Sequence, residues 1–157
     1  CPTTERDLAD GIGPAKRLVG AGATLCVGSD SHAVIDLFEE ARAIEQDERL
    51  ITGVRGNHSP ASLLEAATGN GSTSLGWQRH GIAVGSPADF IALETNSVRL
   101  ASFDPQRAAA HIVYSAAPAD VRDVWVVGKR IVENFVHRTI DDVPASLRTA
   151  ISAVVTL

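Results

Sequence analysis

Methionine is absent from all 157 residues and the chain opens Cys1-Pro2-Thr3-Thr4, so residue 1 is not an initiator and the expectation is a processed product or a piece of a larger protein. Cysteine is nearly absent: Cys1 and Cys26 lie far from any CxxC spacing, and Cys26, inside an apolar run, reads as a small buried thiol in a reduced, cytoplasmic protein. No apolar run approaches the roughly 18 residues of a membrane span, and no charged-then-apolar leader is present, which points to a soluble chain with no membrane partner. Basic clusters are missing as well. The 14 Lys and Arg are scattered among 19 Asp and Glu, giving a net charge of −5, and phosphate backbones need clustered cations, so no nucleic-acid partner is expected. There is no phosphate-binding loop or nucleophile elbow, and Gly11-Ile12-Gly13 lacks the rest of a dinucleotide fingerprint. Repeats and low-complexity segments are absent too.

What is present is an ordinary globular balance, 45% hydrophobic against 21% charged, with apolar material enough for a core. The length fits one domain, and equally the back third of a larger enzyme. Residues 5–22 read as a loop and then a short helix from about Pro14 to Val19, with Gly20 and Gly22 beyond its end. Ala23-Thr24-Leu25-Cys26-Val27 reads as a buried strand. Asp36, with Glu39 three residues on, caps a helix running to about Arg49. On its outer face Glu45 and Arg49 form an acid-first pair four apart, read as solvated surface worth about 0.3–0.5 kcal/mol. Ser59 and Pro60 start a third helix that runs to Gly69. The βαβα rhythm of this half implies a parallel sheet or barrel. Beyond Trp77 the character changes: Ala88–Leu93 reads as a strand, Asp104-Pro105 starts a short helix, and strands 121–127 and 130–136 form a hairpin about the turn Gly128-Lys129. A helix from about Pro144 to Val155 follows.

Chemistry concentrates in Gly28-Ser29-Asp30-Ser31-His32, where the strand ends. Parallel βα folds place their working side chains at the carboxyl ends of strands. There Asp30 could ligate a divalent metal and accept a proton from metal-bound water, or it could merely cap the following loop through its own backbone. His32 has no second histidine at metal-binding spacing, leaving substrate contact or plain exposure. His58, His80, His111 and His137 stand singly and read as satisfied or exposed.

These residues, with Cys1-Pro2-Thr3-Thr4, Asp10-Gly11, Phe38-Glu39-Glu40-Ala41-Arg42, the stretch Ser59-Pro60 to Gly76 and the stretch Gly81 to Ile91, resemble the closing third of the metal-dependent amidohydrolases over nearly the whole chain. CPTTE, DGIGP and GSDSH look most like the branch that removes ammonia from N-formimidoyl-L-glutamate in histidine degradation. The resemblance implies an α/β fold: the C-terminal part of a (β/α)8 TIM-like barrel, then a small antiparallel sheet of a composite β-sandwich, then a terminal helix. It implies segments 1–76 (strand 7 end, helix, strand 8, helices), 77–143 (sandwich segment with hairpin 121–136) and 144–157 (terminal helix). Asp30 becomes the strand-eight carboxylate, at once metal ligand and proton acceptor, and His32 a substrate contact. Zn2+ or another divalent metal is implied in the full-length enzyme, where an activated hydroxide attacks the formimidoyl carbon, and a small molecule is the substrate. The upstream HxH, the later histidine ligands and the proton-shuttling glutamate do not occur here, so the chain is expected to be an inactive fragment. Its apolar faces, lacking their upstream neighbours, should favour a homo-oligomer or association with the missing barrel.

Other readings stand beside this one. The protein could be another amidohydrolase, such as a chlorohydrolase or a nucleobase or guanine deaminase. Cys1 could be an N-terminal nucleophile whose own amine acts as base, although Pro2 restricts it to extended geometry. The chain could also be a non-catalytic structural domain.

Overall fold

The computed structural model describes residues 1–31, 34–77 and 81–155. Its first half is helical: α1 (Pro2–Leu8), α2 (Ala15–Gly20), α3 (Leu37–Thr52), α4 (Pro60–Ala66) and α5 (Gly69–Ser74). β1 (Phe90–Leu93) and α6 (Ala108–Ser115) follow, then the strands β2 (Val121–Val126), β3 (Lys129–Glu133) and β4 (Val136–His137), and finally α7 (Val143–Val155). The core lies where α3, α4 and α6 meet. Ala41, Ile44, Leu63 and Val113 are buried there, with Leu25, Val27 and Tyr114 packed against them.

Capping explains the starts of α3 and α4. Asp36 accepts from the backbone N–H groups of Phe38 and Glu39, and Ser59 accepts from that of Ser62, each satisfying a donor the first turn leaves orphaned. Asp104 does the same for Gln106, ahead of α6. Gly53, at φ 66, closes α3 in the left-handed conformation a glycine adopts without strain.

Several expectations are corrected. Residues 2–8 form a helix, with Pro2 in its first turn, where its missing N–H costs nothing. Residues 23–27 pair with no strand. Their burial alternates, Leu25 and Val27 facing the core while Thr24 and Cys26 are exposed, but their bonds to later elements are Val27 N–H to Ala66 O at 3.1 Å and Asn70 Nδ2 to Leu25 O at 2.9 Å. A strand needs a ladder of neighbours, and the described residues offer none here. Cys26 is therefore an exposed thiol. No parallel sheet forms among the described residues; the sheet is antiparallel in the order β1-β2-β3-β4.

The hairpin turn sits one residue earlier than expected, at Val127-Gly128, with φ 50 and 74, leaving Val126 opposite Lys129. Positive φ at both central residues is the primed turn that matches strand twist. A second such turn at Asn134-Phe135, φ 48 and 67, ends β3 and starts β4, where the sequence read one continuous strand. α7 buries no residue.

The largest correction concerns α3. Glu40 and Glu45 are wholly buried, and Asp47 and Glu48 nearly so. A buried carboxylate is tolerated only with partners, and each has them. Glu40 accepts from Thr3 of α1, Asp47 from Arg6 at 2.9 Å, and Glu48 from the Lys16 N–H of α2 at 2.7 Å. Glu45 accepts from the Gly56 and His58 N–H groups at 2.6 and 2.7 Å and from Arg49 at 2.8 Å. Glu45, read with Arg49 as solvated surface, belongs to a row of buried carboxylates that holds α1, α2 and the loop before α4 in place.

Candidate functional site

Asp30 stands where the segment 23–29 ends in a turn. Leu25 and Val27 pack on the core and anchor the segment three residues before Asp30. Asp30 is exposed, and its φ of 45 is left-handed, a conformation that Asp visits more readily than most residues but that still costs about 1–2 kcal/mol. Among the described residues its carboxylate accepts no hydrogen bond, and residues 32 and 33, on which a local cap would draw, lie outside the described set, as does the expected substrate contact His32.

The turn is fixed from a distance by Thr4, buried at 4% exposure. Its hydroxyl accepts from the Ser31 N–H at 3.2 Å, lies 3.0 Å from the Ser31 hydroxyl and donates to Ser29 O at 3.4 Å. Thr4 is held in turn because its neighbour Thr3 gives both its N–H, at 3.2 Å, and its hydroxyl to buried Glu40. The ion pairs of Arg6 with Glu39 and Asp47 press α1 onto the same helix. Between them α1, α2, α3 and the segment enclose a cavity of about 130 Å³ lined by Cys1, Glu5, Cys26 and Asp47 among others. Sequence reasoning singled out Asp30 but missed Thr4 and Glu40. Their traces were the Cys1-Pro2-Thr3-Thr4 and Phe38-Glu39-Glu40-Ala41-Arg42 motifs, quoted for their resemblance without a physical role.

The other histidines do not join the site. His58 is buried beside Glu45, His111 lies against the Phe103 ring, and His137 Nδ1 accepts from the N–H groups of Thr139 and Ile140; His80 lies outside the described residues. Among the described residues no three His, Cys, Asp or Glu side chains are gathered as a metal ion would require. One exposed carboxylate without a second donor does not by itself fit a metal.

Residues 1–131 match the amidohydrolase family. The chain belongs to that family. This amidohydrolase chain is 33% identical over 144 residues to the formimidoylglutamate deiminase of Pseudomonas aeruginosa, covering 87% of its own length and 32% of that protein's. It is also 33% identical over 138 residues to the 5'-deoxyadenosine deaminase of Methanosarcina acetivorans, with 85% and 31% covered. In structure it is similar to an amidohydrolase from Brucella melitensis, TM-score 0.84 at 28% identity, over 99% of this chain and 35% of that one. An adenosine deaminase from Xanthomonas campestris solved with bound zinc superposes at TM-score 0.86 and 26% identity, over 100% and 37%. The chain thus spans about a third of the length of the curated relatives it matches. No helix among its described residues is long and apolar enough to cross a membrane.

Proposed function

We propose that this chain is the C-terminal portion of a metal-dependent deiminase that hydrolyses a non-peptide C–N bond, taking N-formimidoyl-L-glutamate and water to N-formyl-L-glutamate and ammonia. The observation that carries the reading is Asp30 itself: an exposed carboxylate, free of hydrogen bonds from the described residues, held at a left-handed φ by a buried clamp. A protein spends strain in this way where a side chain has work to do. The similarity to formimidoylglutamate deiminase over 87% of the chain supports the substrate class.

In this reading Asp30 contributes one carboxylate to a divalent-metal centre whose other donors lie outside the described residues, and its Oδ atoms are placed to take a proton. When bound, the metal would lower the pKa of water from 15.7 toward about 7, so that a nucleophile exists at neutral pH. Segment 1–76 would close a barrel supplied by chain not present here, and 77–143 would lie outside it. A second reading, an adenosine-type deaminase, is favoured by the equal identity to 5'-deoxyadenosine deaminase.

The test is complementation. The chain is mixed with the part of the Pseudomonas aeruginosa deiminase that it does not cover, and ammonia release is followed with N-formimidoyl-L-glutamate and with 5'-deoxyadenosine. Release from the former alone is expected. Release from the nucleoside alone would replace the first reading by the second, and release by the unmixed chain would overturn the view that it is part of a larger catalyst.

A further inference from the structure

We propose that Thr4 is a positioning residue for Asp30, resting on the reading that Asp30 is the working carboxylate. The two residues that Thr4 binds are those on either side of Asp30, so the hydroxyl staples the turn across the position that must be held. Its hydrogen bonds close completely. With the single Thr4 proton given to Ser29 O at 3.4 Å, one lone pair accepts from the Ser31 N–H at 3.2 Å and the other is open to the Ser31 hydroxyl at 3.0 Å, a pair in which either oxygen can donate. This matches the capacity of a hydroxyl, one donor and two acceptors. None of the three contacts touches the Asp30 carboxylate.

The arrangement answers a conflict. Asp30 is exposed and adopts φ 45, a strained conformation that needs a restraint to persist. Thr4, at 4% exposure, is a buried group bonded to both of its neighbours. Its own place is set by the next residue back, since Thr3 is tied through two atoms to Glu40, which is wholly buried on α3. The order of Asp30 therefore passes from α3 through Glu40, Thr3 and Thr4 to the turn. The first and last steps are hydrogen bonds and the middle one is the covalent chain from Thr3 to Thr4.

The test separates the clamp from the catalytic reading. In the isotopically labelled 157-residue chain, Thr4→Val keeps the side-chain shape and removes the hydroxyl, whereas Thr4→Ser keeps the hydroxyl. Thr4→Val is expected to abolish the strong intraresidue amide–Hα contact that marks positive φ at Asp30, and to speed exchange of the Ser31 amide by about tenfold or more, as for a lost buried hydrogen bond. Thr4→Ser should retain both signatures. Retention of both in Thr4→Val, or their loss in Thr4→Ser, overturns the proposal. Should Thr4→Val fail to fold, Thr4→Cys substitutes a poor hydrogen-bonding group, and wild-type signatures in that variant overturn it equally.

These readouts need no activity. In the complemented enzyme Thr4→Val should lower kcat with KM changed less than about twofold, the pattern of a lost transition-state interaction, and Thr4→Ser should restore it. Full activity in Asp30→Asn would sink the catalytic reading and leave the clamp standing. Full activity in Thr4→Val alongside an inactive Asp30→Asn would sink the positioning role.

Discussion

Replacing Glu45 by Gln distinguishes a buried peg from a surface ion pair. Glu45 Oε1 accepts from Arg49 Nε at 2.8 Å and the Gly56 N–H at 2.6 Å, while Oε2 accepts from the His58 N–H at 2.7 Å. A glutamine whose oxygen takes the Oε1 place keeps the first two contacts without charge assistance. Its NH2 then faces the His58 N–H, a donor against a donor, in a site with no solvent exposure. One unsatisfied buried donor costs about 1–3 kcal/mol, and the weakening of two charge-assisted bonds brings the expected loss to about 2–4 kcal/mol. The assay is urea unfolding followed by circular dichroism, wild type against variant, at pH 7 and in steps down to pH 3. Burial pushes the Glu45 carboxyl up, but the bonds from Arg49, His58 and Gly56 more than offset it and hold the group below its ordinary value. A depressed carboxyl stabilises fully above its unfolded value near 4.3 and loses that contribution as pH falls through the folded one. The difference between the two proteins should therefore be full at pH 7 and narrow below about pH 4. A difference of about 0.5 kcal/mol or less at pH 7, the size of a solvated helix pair, would refute the reasoning.

Other consequences follow from the sheet. The Arg122 guanidinium first, then the Asn134 N–H and Arg130, hold the Asp123 carboxyl at about 2 against the opposing effect of burial, so its contribution is present above the unfolded value near 3.9 and disappears as pH falls toward 2; Trp125 fluorescence, reporting the neighbouring Phe90 and Arg130 contacts, should change in that acid range in wild type and lose that step in Asp123→Asn, which has no carboxyl to titrate. Val127 is a β-branched residue at φ 50, 74% exposed, and Val127→Asn should stabilise the chain by about 0.5–1 kcal/mol in thermal unfolding, because Asn tolerates that conformation. Gly128→Ala at φ 74 should cost about 1 kcal/mol in the same assay, even though the added Cβ would meet Ala88 at an ordinary 3.7 Å. Leu63→Ala, at 1% exposure in the centre of the core, should cost about 2–5 kcal/mol by denaturant unfolding.

Much of the helical half was legible, because caps are local: Asp36 and Ser59 announce their helices within three residues. What escaped was non-local or lacked a side-chain signal. Glu45 and Glu40 sit where helical periodicity expects either face, and nothing in a single sequence says that a carboxylate will be met by the backbone of a loop. α1 escaped because Thr3 and Thr4 are bonded to partners 37 and 25 residues away. The Asn134-Phe135 turn was hidden because Phe takes a positive φ that glycine usually marks, and the Val127-Gly128 turn was displaced by one because Gly fills the second central place rather than the first. The segment 23–27 reads as a strand by composition, yet pairing depends on neighbours that the described chain does not contain. Asp30 was found by type and place; the reason it stays there lies in Thr4, which is bonded to Ser29 and Ser31 across separations of 25 and 27 residues.

The central claim is that Asp30 is the carboxylate this chain gives to a metal-dependent deiminase. The most direct measurement is the zinc content of the purified complex between this chain and the complementing part of the Pseudomonas aeruginosa enzyme, taken for wild type and Asp30→Asn beside a check that both complexes form. Zinc is expected in the wild-type complex, with its loss, or a marked weakening of its retention against a chelator, in Asp30→Asn. Equal zinc retention by both would contradict it.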